Sequence, residues 1–415
     1  MPTVTGLGGF HEVGRQAIFI DSGTESLLID YGISIQNMAV PLPIPKMPGA
    51  VVLSHAHLDH SGHLPSLYLK GYPGAVYATD TTFALSDLLL RDSHKVQMLN
   101  GLRPHYDLID VDTFGKAGRR VAFGDPFGLK GATVTLSDSG HVPGGGSVLA
   151  EIGGKRILYS GDIKFGRTEL LDGAFTDFEG IDLLITEATY SYKNHPDRSM
   201  MRERLRSHVQ EVIGNGGIVL IPSFAVGRAQ EMICMLYDLG IPMYIDGMGA
   251  KATRIILDHK HSIRRPEKLE QAFAAAIKIK KHAERRQVTK KPCIIVTSAG
   301  MLQGGPAKLY MREIYNKPEC SVVLNGFQMA GTPGKILLDT GRYVDDDIDV
   351  QAKLKVEFMD FSFHCGRDNL LKFIRKVNPG MVVPVHSEHV QEFSAELKGM
   401  GFASAPIRNG ETIAV

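Results

Sequence analysis

The sequence predicts an α/β protein in which two parts of one framework flank an inserted segment with a parallel sheet. Three observations carry this. Over the first 185 residues, short apolar and β-branched runs are separated by glycine-rich turns. From about residue 190, strand-like and helix-like stretches alternate, which is the pattern of βαβ units. After the acidic turn YVDDDIDV, strands and helices continue to the C-terminus, and no internal repeat or low-complexity linker intervenes. At 43% hydrophobic and 22% charged, the composition is that of an ordinary folded chain and excludes a disordered or fibrous class.

In chain order, AIFID, SLLID, VVLS, AVYAT, TVTLS, SVLAE, RILYS and DLLIT have the length and branching of strands, and TTFALSDLLLRDSHKVQML has a helical period. Further on, IVLIPSF precedes a helix beginning near Arg228, MYIDG precedes AKATRIILDH, and CIIVTSAG precedes AKLYMREIY. RPEKLEQAFAAAIKIKKHAERRQ is predicted as one amphipathic helix and QAKLKVEFMDFS as one long strand. A helix near 367–377, the strand MVVPVH and a final helix follow.

Residues 251–291 hold 13 Lys or Arg against 4 Asp or Glu, so this segment carries +9 and the rest of the chain −8. Such a segment is either a solvated helix face or a surface for a phosphate backbone. The N-terminus lacks a basic start followed by an apolar stretch, and no run reaches about 18 apolar residues, so a cytoplasmic location without membrane contact is expected. Cys234, Cys293, Cys320 and Cys365 form no CxxC pair, so any metal must use nitrogen and oxygen ligands.

The stretch VVLSHAHLDHSGHLP places His55, His57, His60 and His63 around Asp59 within nine residues. A lone histidine is more often packing than ligation, but four this close suit a hydrolytic metal site for Zn²⁺, or by ligand type Mn²⁺ or Fe. Asp30, His141, Asp162 and His386 each lie at or just beyond a strand-like run. Singly, each would be a turn or capping residue.

Together these residues resemble the metallo-β-lactamase superfamily. The resemblance implies an αβ/βα sandwich and two Zn²⁺ per chain. His55, His57 and His141 would hold one zinc, Asp59 and His60 the other, and Asp162 would bridge them. Asp30 would orient the loop and the attacking water, and His63 falls outside the pattern as a structural residue.

The segments ITEATY, IPSFAVGRAQE, VTSAGMLQGGPAKLY, NGFQMAGTPGKIL, FSFHCGRDNL and VPVHSEH further resemble the β-CASP nucleases over nearly the whole chain. That resemblance implies a metallo-β-lactamase domain over 1–190, an inserted parallel-sheet β-CASP domain over 191–345, and a return segment over 346–415. Glu187 would be the motif A acid, His364 the motif B histidine, and His386 the motif C histidine that completes the second zinc's ligands in RNA-cleaving members. Glu187, His364, Asp30 and Asp59 are the catalytic candidates, with His364 as general acid and Glu187 as its orienting carboxylate.

The implied function is a zinc-dependent ribonuclease, endonucleolytic in RNA 3′-end processing or decay. A 5′-to-3′ exoribonuclease like ribonuclease J is the alternative, and a non-catalytic RNA-binding scaffold stands behind both. The turns SAGMLQGG and MAGTPG offer backbone N–H groups to phosphates, which makes Arg228, Ser298, Gly300, Gly304, Lys308 and Gly331 the candidate RNA contacts. RNA is the expected partner, with a homodimer and RNA-processing or transcription machinery as further expectations.

Overall fold

The run AIFID shows how the first unit is built. As the strand Ala17–Asp21, it turns Ala17 and Phe19 toward one core and Ile18 and Ile20 toward another, the period-2 pattern of a strand buried on both faces. The computed structural model describes residues 1–415 in two units. The first comprises Met1–Arg167, Asp172–Asn194 and Phe363–Val415, and the second Thr168–Leu171 and His195–Ser362.

The first unit has two sheets. One is seven-stranded, in the order Thr412–Ala414, Thr3–Gly8, Ala17–Asp21, Ser26–Ile29, Ala50–Val52, Val76–Ala78, Gly118–Arg120. The other is six-stranded, in the order Met381–Val385, Leu183–Glu187, Lys155–Tyr159, Gly146–Ile152, Ala132–Asp138, Phe127–Leu129. Ile18, Ile20, Leu27 and Ile29 of the first sheet meet Val134, Leu136, Val148, Ile157, Ile185 and Val383 of the second in a shared core. Burying each such side chain contributes roughly 1.5–3 kcal/mol, and a one-residue slip would turn it outward, so this core also sets the register.

Helices cover both outer faces. Phe83, Leu90, Val111 and Phe114 pack on the first sheet through Phe19, Leu28 and Val51. The helix Arg367–Val377 puts Leu370, Phe373, Ile374 and Val377 on the second, the i, i+3, i+4, i+7 stripe of an amphipathic helix. The result is the αβ/βα sandwich expected from the sequence. No helix is long and apolar enough to cross a membrane.

The second unit is a six-stranded parallel sheet, in the order Ile277–Lys278, Met243–Asp246, Cys293–Ser298, Ile218–Ser223, Ser321–Leu324, Lys355–Phe358. Two expectations are corrected here. The basic stretch is not one helix: Pro266–Ala275 ends where Ala276 turns extended (φ −75°, ψ 133°), Ile277–Lys278 pairs with Tyr244 and Ile245, and a new helix runs His282–Val288. The alternating Ile-Lys-Ile-Lys favours an edge strand, and the pairing overrides helical propensity. QAKLKVEFMDFS is likewise not one long strand: its first residue, Gln351, ends a hairpin strand, and only Lys355–Phe358 within it is a strand of the parallel sheet. Asp349–Gln351 pairs back on Arg342–Val344, and Ala352 and Lys353 then donate to Gly341 and Tyr315 carbonyls before Lys355–Phe358 joins the parallel sheet.

Asp246 ties this unit together. Its carboxylate is 1% exposed and accepts from Arg285 Nε at 2.7 Å, Arg285 Nη2 at 3.1 Å and Tyr310 Oη at 2.8 Å. Asp246→Ala leaves that guanidinium without its counter-charge, and a loss of about 3–5 kcal/mol is expected, read as a lower urea midpoint for this unit.

Candidate metal centre

In the second sheet, Gly146–Ile152 is antiparallel to both neighbours, so Ala132–Asp138, Lys155–Tyr159, Leu183–Glu187 and Met381–Val385 all run the same way. His141, Asp162, Glu187 and His386 therefore emerge at one edge. Ser26–Ile29 and Ala50–Val52 are parallel in the first sheet and deliver Asp30 and the 54–60 loop. Within that loop the one-turn helix Leu58–Ser61 carries Asp59 and His60, with His60 and Ser61 N–H donating to the His57 carbonyl at 3.0 and 2.8 Å. Gly32 makes room for it, since a Cβ there would sit 1.8 Å from the Asp59 carbonyl oxygen.

Two donor sets result. His55 Nε2 and His141 Nε2 lie 3.2 and 3.3 Å from His57 Nδ1, and Asp162 Oδ2 lies 3.6 Å from His55 Nε2 and 3.5 Å from His141 Nε2. A tetrahedral Zn²⁺ with nitrogen ligands at about 2.0–2.1 Å separates its ligand atoms by about 3.3 Å, close to this spacing. In the second set, Asp59 Oδ2 is 3.3 Å from His386 Nε2, and Asp162 Oδ1 is 3.5 Å from His60 Nε2 and 4.0 Å from His386 Nδ1. The two oxygens of Asp162 thus face different sets.

The outer partners fix which nitrogen faces inward. His141 Nδ1 lies 2.9 Å from the Phe363 carbonyl, and His60 Nδ1 lies 2.7 Å from Asp30 Oδ2; both acceptors require a proton on Nδ1. Ser54 Oγ donates to Asp30 Oδ2 at 2.7 Å and so accepts from His55 Nδ1 at 3.1 Å. Thr189 Oγ1 donates to the His386 carbonyl at 3.2 Å and accepts from His386 Nδ1 at 3.0 Å. Four imidazoles therefore turn Nε2 lone pairs inward, as metal ligands do. His60 Nε2 and Asp162 Oδ1, which face each other across the second set at 3.5 Å, are both buried without a hydrogen bond, as donors that share a cation would be. The residues fit a metal.

Burial pushes the His55, His57 and His141 imidazoles below their ordinary range, which keeps them neutral and able to ligate. For His60, burial acts the same way, but the Asp162 and Asp30 carboxylates outweigh it and raise it. Burial raises Asp59, and the His386 and His60 imidazoles beside it more than reverse that.

Asp30 is fully enclosed, with Oδ1 taken by Ser54 N–H at 2.7 Å and Oδ2 by Ser54 and His60. It stands behind the ligands and holds the loop rather than meeting an incoming water, as half of its expected role would need. Asp30 and His386 both adopt left-handed backbone, at φ 57° and 58°, a strain of about 1–3 kcal/mol each of the kind that clusters at functional sites. His63 packs 4.8 Å from the Tyr31 ring and is pushed down to about 3 by burial, then by His105 and Lys70, so it is a neutral packing residue.

His364 stands at the mouth, 18% exposed, with its ring 4.8 Å from His141 and 5.9 Å from His386. Its Nδ1 lies 2.8 Å from Glu187 Oε2, while Glu187 Oε1 accepts from Ile163 N–H at 2.7 Å. Burial lowers His364, but the Glu187 and Asp162 carboxylates outweigh it and hold it above its ordinary range.

The candidate RNA contacts all lie in the second unit. Arg228 opens the helix Arg228–Leu236 and Ser298 ends Cys293–Ser298, both at carboxyl ends of parallel strands, where open α/β sheets take ligands. Gly300 packs so closely that a Cβ would lie 3.2 Å from Phe224 N, whereas Gly304 and Gly331 face open space. Lys308 is bound to Asp346 at 2.7 Å. Sequence reasoning assigns no role to Ser54, a polar residue at a strand end, and misses Thr189 and Gly32. Ser54 directly precedes His55 and Thr189 lies two residues after Glu187, but hydroxyls carry no spacing signal.

Comparison with known proteins agrees with this layout. Residues 12–198 match the model of the metallo-β-lactamase superfamily, 229–337 that of the Beta-Casp domain, and 347–406 that of the Zn-dependent metallo-hydrolase RNA specificity domain. The chain is 34% identical to Probable RNase MJ4 of Methanocaldococcus jannaschii, covering 92% of each. It is 33% identical to RNase aCSPSF2 of Saccharolobus solfataricus over 94% of this chain and 80% of that protein. It is 32% identical to Transcription termination factor FttA of M. jannaschii over 93% of this chain and 67% of that one. A crystal structure of a protein of unknown function from Enterococcus faecalis V583 superposes over 100% of both chains at TM-score 0.65 and 14% identity, a likeness of fold.

Proposed function

Because the chain belongs to the β-CASP branch of the metallo-β-lactamase superfamily, we propose that it is a metal-dependent ribonuclease that hydrolyses RNA phosphodiester bonds with two Zn²⁺ in the cytoplasm. The observation that carries this reading is Asp162, whose two oxygens face two separate donor sets beside the His364–Glu187 pair. His55, His57, His141 and Asp162 would hold one ion, and Asp59, His60, His386 and Asp162 the other. Bound there, the ions supply Lewis-acid activation of water and offset charge on the phosphate.

The chain's own residues do the rest. Asp30, Ser54, Thr189 and the Phe363 carbonyl hold the Nδ1 side of four imidazoles, so that each Nε2 is turned toward its donor set. His364, with Nδ1–H held by Glu187, presents Nε2–H outward and gives that proton to the leaving oxygen. The RNA specificity match over 347–406 and the RNase relatives support RNA as substrate.

Endonucleolytic cleavage is the preferred mode. The test is an RNA labelled at both ends and carrying a 5′-monophosphate or a 5′-triphosphate, with the zinc content measured on the same preparation. Internal fragments from both forms are expected; mononucleotides from the monophosphate form alone would replace this with 5′-to-3′ exonuclease action, and no cleavage by zinc-loaded protein would refute the ribonuclease.

The basic segment offers a further check. Lys268 is taken by Glu169 and Arg285 by Asp246, and Lys278 donates to the Phe273 carbonyl, while Lys280 and Lys281 are exposed. If the last two meet phosphates, replacing both with Ala should flatten the slope of log binding against log salt by about 1.4, at about 0.7 per single-strand contact. An unchanged slope would make this a solvated face.

A further inference from the structure

A line of rings runs from His364 to the surface of the first unit. The Tyr190 ring centroid is 6.1 Å from that of His364, Tyr192 is 6.1 Å from Tyr190, and His389 is 4.7 Å from Tyr192. The inner ring is buried, at 4% exposure for Tyr190, and the outer one open, at 53% for Tyr192. His389 is exposed beside it, and the Lys193 ammonium lies 4.7 Å from the Tyr190 centroid. The turn that carries them is fixed by Ser191 N–H donating to Ala188 and Lys193 N–H to Tyr190. Neither Tyr192 nor His389 belongs to a donor set.

A single exposed aromatic residue is ordinary, but this one ends a series that begins at the proposed acid. An open aromatic face near a cation is what a single-stranded nucleic acid engages, because every base has a π face and every linkage a charge, and here Lys193, lying over the buried Tyr190 ring, directly follows the open Tyr192. The two ring steps put Tyr192 within about one or two nucleotides of the bond being cut, on the side that receives the proton.

We propose that Tyr192 and His389 form a stacking platform for the base of the nucleotide carrying the leaving oxygen, with Lys193 facing the adjoining phosphate. The proposal rests on the ribonuclease reading. The platform accepts any base and favours purines for their larger face, so it positions the strand without reading a sequence.

The chain contains no tryptophan, so Tyr192→Trp installs a lone fluorescent reporter. In zinc-loaded full-length protein that also carries His364→Ala, to keep RNA whole, a short oligoribonucleotide should quench that fluorescence. A set of oligonucleotides with one abasic site each should relieve the quench at a single position, next to the bond that the wild type cuts. In the otherwise native protein, Tyr192→Ala should raise KM about tenfold with a smaller change in kcat, and Tyr192→Phe should restore it. Quenching by inorganic phosphate, quenching indifferent to every abasic site, or an unchanged KM in Tyr192→Ala would overturn the platform alone. A wild type that neither binds nor cleaves RNA would overturn the ribonuclease reading, and the platform with it.

Discussion

Asp162→Ala is expected to lower the metal content from about two ions per chain to one or fewer and to cut RNA cleavage about 10³-fold, since a metal's charge stabilisation is worth several kcal/mol and each 1.36 kcal/mol is tenfold. No other side chain presents one oxygen to each donor set, so no neighbour can take its place. The loss should exceed that of Asp59→Ala, which leaves the three-imidazole set intact. Elemental mass spectrometry and turnover on one sample decide the matter, with circular dichroism showing that the fold persists. Two ions retained with activity within tenfold of wild type would remove Asp162 from the bridging position.

His364→Ala is expected to reduce turnover by about 10²–10⁴-fold, the usual contribution of a general acid, while leaving the metal content unchanged. Glu187→Gln should act in the same direction and less severely. It keeps the shape but offers an amide where Ile163 N–H and His364 Nδ1–H both need an acceptor. Glu187 also lies with Asp162 and His386 in a group whose donor atoms are all within 4.8 Å, so a ligand role competes with the orienting one. The two readouts separate them: metal lost on Glu187→Gln would make it a ligand, and metal kept with slow turnover would make it the acid's partner.

The site was legible in the sequence to the extent that its chemistry sits at strand ends. His55, His57, Asp59 and His60 announce themselves by spacing, and His141, Asp162, Glu187 and His386 follow runs whose β-branched content is plain. Ser54 and Thr189 were not legible, because a hydroxyl that sets a tautomer differs in no local way from one that caps a turn. Nor was the buried position of Asp30, which depends on packing between sheet and loop. In the fold, IKIK was misread because an edge strand is stabilised by a partner far along the chain, Tyr244 and Ile245, which a helical window cannot see. QAKLKVEFMDFS failed for a similar reason: its first residue, Gln351, answers to Arg342 in the hairpin, and Lys355–Phe358 to Ser321–Leu324 in the parallel sheet.

The pairing of Leu183–Glu187 with Met381–Val385 has a consequence for biosynthesis. The N-terminal stretch of a nascent chain contains His55, His57, His141 and Asp162, yet it lacks His364 and His386 until the ribosome has passed through all of His195–Ser362. A contact between strands so distant in sequence forms late, after the intervening unit has had time to fold. On the proposed assignment, the emerging polypeptide would until then have a place for a first ion but neither the second ion's full ligand set nor a proton donor. On the proposed roles, a ribonuclease made beside the message that encodes it would stay inactive until the ribosome has passed His386.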